Sequence, residues 1–89
     1  MAYEENGRQI AGQLRDRYGR LLEAQLGAPI RLIFERGFWD VPSNFIFKFG
    51  YHGSGPDCFH AFLQASGFSI AKSQVENAQA GDVFKVSGS

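Results

Sequence analysis

The sequence predicts a single α+β domain in which two amphipathic helices cover one face of a three-stranded, mostly antiparallel sheet. Three observations support this prediction. The length of 89 residues suits one hydrophobic core, apolar residues recur at helical spacing near the start, and two later segments alternate with the period of a strand. Separate apolar faces of this kind favour a two-layer arrangement. We expect one domain over residues 1–86, with 87–89 as a flexible tail or a remnant of cloning.

The first element is predicted as an amphipathic helix over residues 3–25. Its apolar positions recur at intervals of three and four residues and form one stripe along a helix. They are Ile10, Leu14, Tyr18, Leu21 and Leu22. Gly27 and Pro29 are expected to end this helix, because glycine accepts the left-handed conformation found after many helices and proline cannot continue the hydrogen-bond ladder.

Two strands are predicted next, over residues 30–36 and 44–51. The second alternates most clearly and presents four aromatic residues on one face, namely Phe45, Phe47, Phe49 and Tyr51. A one-residue slip in register would turn all four towards water, so the register should be strongly specified. The intervening residues 37–43 have the length of a longer hairpin connection.

The second half of the chain predicts a helix over residues 56–66. Pro56 suits the first turn of a helix, and the Asp57 carboxylate suits its positive end. Gly67 followed by Phe68 is typical of a glycine terminus whose next residue packs back on the last turn. These signals place both ends of the helix.

A short third helix and a last strand are predicted to follow. Ser73 and Glu76 have the spacing of a capping box, which favours a helix from residue 73 to about 79. Residues 83–86 are then predicted as a strand. The predicted order of elements is therefore helix, strand, strand, helix, short helix, strand.

Composition excludes several classes of function. The formal net charge is zero, which disfavours nucleic acid as a partner, because such binding draws most of its affinity from cationic side chains. A single cysteine, Cys58, rules out an intrachain disulfide and a multi-cysteine zinc site. No apolar run approaches the roughly 20 residues that span a bilayer, and the first residues lack the pattern of a signal peptide. We expect a soluble cytoplasmic protein that does not bind membranes.

Cys58 stands in the opening turn of the second predicted helix, where backbone donors and the helix dipole stabilise a thiolate. The stretch Gly-Pro-Asp-Cys-Phe, residues 55–59, resembles the nucleophile motif of NlpC/P60 cysteine peptidases, in which Asp and Cys open a helix. That resemblance implies a histidine base far downstream on a strand. Only His60 follows Cys58, and side chains two residues apart on a helix diverge by about 200°. His52 is the other candidate base.

The favoured interpretation of Cys58 is a small buried hydrophobic residue under the sheet, which is common for a free cysteine. Metal binding is also disfavoured, because the potential ligands lack the i, i+4 or Cys-x-x-Cys spacing that converges on one ion. These residues are His52, Asp57, Cys58 and His60. No metal and no cofactor is therefore predicted.

Glycines at positions 50, 53 and 55 suggest a phosphate-binding loop ahead of a helix. The stretch lacks the Walker lysine and the complete dinucleotide fingerprint, and Pro56 removes one backbone donor. A structural turn is the favoured interpretation. An oligomeric protein that sequesters a small nucleotide near this loop stays open as an alternative.

Phe38 and Trp39 are the strongest candidates for binding a protein partner. They lie in the predicted hairpin connection, where exposed aromatic side chains anchor many interfaces. The alternative, that both fold back over the end of the core, is equally weighted. Arg8 and Arg15 share one flank of the first helix, which is either a partner contact or a solvated surface. A homodimer through a sheet edge is also compatible with these features.

Two segments resemble parts of small uncharacterised phage and bacterial proteins: residues 53–63, Gly-Ser-Gly-Pro-Asp-Cys-Phe-His-Ala-Phe-Leu, and residues 65–68, Ala-Ser-Gly-Phe. The size and neutrality of the chain and its lack of catalytic machinery are similar to those of phage-encoded inhibitors of the anti-CRISPR kind. The resemblance implies a non-enzymatic protein that blocks a host defence protein. We assign that contact to Phe38, Trp39, Arg8 and Arg15. A small cysteine-dependent enzyme using Cys58 and His52 is the alternative.

Overall fold

The computed structural model describes residues 3–86, and within them the elements follow in the order α-β-β-β-α-α-β. They are α1 (Tyr3–Tyr18), β1 (Leu21–Gln25), β2 (Arg31–Phe34), β3 (Gly37–Asp40), α2 (Ser54–Ala65), α3 (Lys72–Glu76) and β4 (Val83–Lys85). The strands form one antiparallel sheet in the order β3-β2-β1-β4. The α+β class is confirmed, and the predicted count of three strands is wrong because there are four in this part of the chain. Residues 87–89, predicted as a tail, lie outside it.

Helix α1 ends at Tyr18, so the predicted helix over 3–25 is correct only for its first part. Gly19 closes the helix with φ +86°, and its N–H donates to the carbonyl of Arg15 at 2.9 Å. The chain then turns into β1, which pairs with β2 on one side and with β4 on the other. The turn between β1 and β2 contains Gly27 and Pro29, which therefore do not end a helix.

The prediction of a strand over residues 44–51 is also wrong, because that segment is irregular. The strand at this edge of the sheet is instead β3, which lies within residues 37–43, the segment predicted as a connection. Its alternating aromatics are nevertheless partly explained by burial. Phe47 is 2% exposed, and its ring centroid lies 4.7 Å from that of Phe62 and 5.3 Å from that of Phe59. Tyr51, at the end of the segment, is 50% exposed.

The helices and last strand of the second half agree closely with the prediction. Gly67 has φ +99°, and the N–H of buried Phe68 donates to the carbonyl of Leu63 at 2.9 Å, which confirms the glycine terminus of α2. At the start of α3, however, the side chain of Gln74 accepts the N–H of Ala71 at 2.8 Å. The N-cap is therefore Ala71, two residues before Ser73, the N-cap of the predicted capping box.

The core lies between the helices and one face of the sheet, here called the inner face. From the sheet it receives Ala24, Leu32 and Phe34, and from α2 it receives Phe59, Phe62 and Leu63, all buried. Helix α1 adds Ile10, Leu14 and Tyr18, and the Tyr18 ring stacks on Phe34 at 5.3 Å between centroids. None of the described helices covers the opposite face of the sheet.

Candidate functional site

The uncovered side of the sheet, here called the outer face, is formed by alternate residues of the four strands. Cross-strand pairing arranges these residues in two parallel rows. One row is Phe38, Ile33, Glu23 and Lys85, and the other is Asp40, Arg31, Gln25 and Val83. Phe38 and Val83 are 56% and 46% exposed. The outer face thus combines exposed apolar side chains with two cations and two carboxylates.

Phe38 lies at the β3 edge of this face, beneath an arginine whose position is fixed. Arg31 donates to both carboxylate oxygens of Asp40, from Nε to Oδ1 at 2.7 Å and from Nη2 to Oδ2 at 3.1 Å. Its guanidinium carbon lies 4.7 Å from the centroid of the Phe38 ring, a cation–π distance. The hydrogen bonds from Arg31 lower the pKa of the Asp40 carboxyl, and the same pairing raises the pKa of the guanidinium.

Trp39 lies on the inner side of the same strand. It is partly buried, pairs with Leu32 across the hairpin, and contacts the Phe45 ring edge to face at 5.2 Å between centroids. Successive side chains of a strand point to opposite faces. The two alternatives weighed for these aromatics therefore each apply to one of them, with Phe38 exposed and Trp39 packed on the core.

Arg8 and Arg15 are exposed on α1, in the helical layer. That layer covers the inner face of the sheet, whereas Phe38 is on the outer face. The four residues assigned to one contact therefore do not form one continuous surface. Their roles in binding stay predictions, and Phe38 is the one that lies on an uncovered face.

Cys58 has no exposed surface, and its α2 neighbour Phe59 is equally buried. The side chain of His52 is 84% exposed and pairs with the Glu76 carboxylate at 3.0 Å. His60 Nε2 lies 3.0 Å from the carbonyl oxygen of Ile70. A thiol without solvent access cannot meet a substrate, so this geometry favours the packing role for Cys58 over a catalytic one.

Two carboxylates, each paired with a basic side chain, lie close to the glycine-rich segment before α2. The Asp57 side chain, in the first turn of α2, pairs with Lys72 Nζ at 2.7 Å. Glu76 pairs with His52 close to the same end of the helix. Because carboxylates already engage Lys72 and His52, neither basic side chain is available to a phosphate at this helix start. Within residues 3–86 no three histidine, cysteine or carboxylate side chains converge as metal ligands do, and no helix there is long and apolar enough to cross a bilayer.

Two features were not predicted from the sequence. The first is the Arg31–Asp40 pair. The sequence shows opposite charges at the start of β2 and the end of β3, but only the register of the two strands shows that they lie opposite each other. The second is a cleft of about 390 Å³ between the β1–β2 turn and residues 41–49. Its apolar walls include Pro29, Ile30, Val41, Pro42, Phe47 and Phe49. Walls from separate segments leave no local pattern in a sequence.

Comparison of the chain with protein-family models, with curated proteins and with solved structures gives no match. A functional proposal therefore depends on the geometry of the described residues. Among the described residues, the outer face around Phe38 and the cleft both present apolar surface.

Proposed function

We propose that this protein is a non-enzymatic binding module that docks another protein on the outer face of its sheet, with Phe38 as the anchor. The observation that supports the proposal is the 56% exposure of a phenylalanine on a strand that offers an inner face for burial. Aromatic residues and arginine are enriched at protein interfaces and dominate their energetics. Here the two types occur together, as Phe38 and Arg31.

The Arg31–Asp40 pair supports the proposal through preorganisation. A free arginine side chain loses rotamer entropy when a partner immobilises it, whereas Arg31 is already held by two hydrogen bonds. The guanidinium also covers part of one side of the Phe38 ring. A partner would therefore meet a rigid surface made of an aromatic ring and a planar cation.

The position of Phe38 on an edge strand supports the same surface. Strand β3 pairs only with β2 among the described strands, so its other backbone edge is available for an added strand. Contacts to the ring and to that edge would reinforce each other. A host defence protein as the partner stays a hypothesis that depends on the resemblance to phage inhibitors.

Site-specific photocrosslinking tests this proposal. A benzophenone side chain at position 38 should capture one partner from a host lysate, and the same probe at position 51 should not. Tyr51 is a matched control because it is an aromatic residue of similar exposure, 50%, located away from the sheet. The captured protein, once purified, should bind the wild type and Tyr51→Ala but lose at least tenfold in affinity with Phe38→Ala.

Self-association is separated from this outcome by light scattering of the purified protein. A dimer that dissociates in Phe38→Ala but not in Tyr51→Ala would show that the outer face joins two copies of this chain, against the proposal of a different partner. Equal binding by both variants would show that the outer face is not the docking surface.

A further inference from the structure

We propose that the cleft between the β1–β2 turn and residues 41–49 binds a small monoanion with an apolar body, such as a medium-chain carboxylate. Its volume of about 390 Å³ falls within the range of roughly 300–1,000 Å³ of small-molecule sites. Such sites combine predominantly apolar walls with a few polar groups that orient the ligand. None of the residues that line the cleft belongs to the two rows of the outer face.

The walls of the cleft are apolar and largely fixed by the core. Ile30, Val41 and Phe47 are only 5%, 3% and 2% exposed, so they are packed from behind by the rest of the protein. The N–H of Val41 donates to the carbonyl of Ile30 at 2.8 Å, which joins the two sides of the cleft at its base. The cleft is therefore preformed and does not need the chain to open.

The charged side chain that lines the cleft is positive. Lys48 is the one ionisable residue among those that line it, and no carboxylate does. Its Nζ donates to the carbonyl oxygen of Ser43, another lining residue, at 2.7 Å, which places the ammonium at the rim. An ammonium has three donors, so further donors are available to an oxygen of a bound anion.

The stem of Lys48 is held in this position by α2. A β-carbon on Gly55 would lie 2.6 Å from Lys48 Cγ and 2.7 Å from its Cβ, so the lysine packs directly against a glycine in the first turn of the helix. A lysine fixed at its base presents its charge at a defined point of the rim. Apolar walls and one fixed cation together favour an apolar anion over a neutral or cationic ligand.

The experiment is calorimetric titration of the full chain with octanoate and, as the neutral match, octanol, with NMR shifts of the Phe47 and Phe49 amides to locate binding. Octanoate should bind with measurable heat and more tightly than octanol. Lys48→Met keeps the apolar stem and should lower the affinity for octanoate by about fivefold, which is the effect expected from the loss of one exposed ion pair. The same variant should leave the affinity for octanol unchanged. Lys85→Met, an exposed lysine of β4 removed from the cleft, is the control and should bind octanoate as the wild type does.

A second variant keeps the proposal testable if the charge effect is small. Ser43→Trp places an indole at the exposed rim while keeping the backbone carbonyl that Lys48 contacts, and it should abolish binding of both probes. Phe38→Ala should leave octanoate binding intact, because the outer face takes no part. Equal affinity for octanoate and octanol, with no effect of Lys48→Met, would overturn the anion site and leave an apolar crevice. Absence of binding up to the solubility of octanoate would overturn the proposal entirely.

Discussion

Gly7 of α1 lies directly against the backbone of α2 at Phe62. A β-carbon on Gly7 would be 2.9 Å from the Phe62 nitrogen and would overlap the carbonyl oxygen of Cys58. The two helices approach closely at this point because position 7 has no side chain. Gly12, on the same helix, has no atom within 4 Å of the site where its β-carbon would be.

Alanine at these two positions should therefore have opposite effects. Gly7→Ala should lower the free energy of unfolding by about 1–3 kcal/mol, because the helices must move apart. Gly12→Ala should raise it by roughly 0.5–1 kcal/mol, since alanine is the better helix former and the space is open. Urea unfolding followed by circular dichroism measures both. A change of the same sign in both variants would contradict this account of the helix contact.

Phe47 should be the most sensitive aromatic residue of the 44–51 segment even though that segment is not a strand. Its ring contacts Phe45, Phe59 and Phe62 with centroids 5.0, 5.3 and 4.7 Å away. Phe47→Ala should cost on the order of 3–5 kcal/mol. Tyr51→Ala, at a half-exposed position, should cost less than about 1 kcal/mol. Thermal unfolding distinguishes the two, and an unchanged melting temperature for Phe47→Ala would exclude it from the core.

Alanine substitutions of Phe38 and Trp39 should differ clearly in their effect on the free energy of unfolding. Phe38→Ala should change the free energy of unfolding by less than about 1 kcal/mol because the ring is mostly exposed. Trp39→Ala should cost on the order of 2–4 kcal/mol because the indole packs against the core cluster and against Phe45. Chemical unfolding of the two single variants is the measurement. A loss in Phe38→Ala as large as in Trp39→Ala would mean that Phe38 also supports the fold, and binding tests would then need Phe38→Leu.

The thiol of Cys58 should be unreactive in the native state. It has no exposed surface in α2, so iodoacetamide should modify it only through local or global opening. Modification near neutral pH should be slow in buffer and stoichiometric in denaturant, as mass spectrometry would record. Rapid stoichiometric modification of the folded protein would restore the cysteine-dependent enzyme as a candidate.

The Arg31–Asp40 pair predicts a pH dependence of definite sign. Because the pKa of Asp40 is lower in the folded state, its contribution to stability is present above the ordinary aspartate pKa of about 3.9 and is lost as the pH falls through the folded value. The difference in stability between the wild type and Asp40→Asn should therefore shrink below about pH 4. Arg31→Gln should behave in the same way, and adding Asp40→Asn to it should have little further effect. A difference that stays constant down to pH 2 would contradict the pairing.

Local signals determined much of the second half of the chain. Pro56 and the glycine terminus at Gly67 act within a few residues of the helix ends that they mark. Helix α2 was predictable for that reason. The α+β class followed from the same short-range periodicities.

Only the tertiary structure decided the sheet. Residues 21–25 continue the apolar spacing of α1, but the left-handed Gly19 separates them and pairing with β2 and β4 makes them the strand between those two. Residues 44–51 alternate as a strand does, yet the four-stranded sheet that forms does not include them. Strand identity depends on hydrogen-bonding partners far away in sequence, which local patterns do not contain.

The candidate sites follow the same division. The sequence by itself singled out Phe38 and Trp39 as aromatic residues of a connecting segment and Cys58 as a residue at a helix start. Which face of β3 each aromatic occupies, the pairing of Arg31 with Asp40, and the cleft beside Lys48 were decided by register and by contacts between separate segments. A side chain acquires its surroundings only when distant parts of the chain pack, so burial and charge pairing belong to the fold rather than to any local stretch of residues.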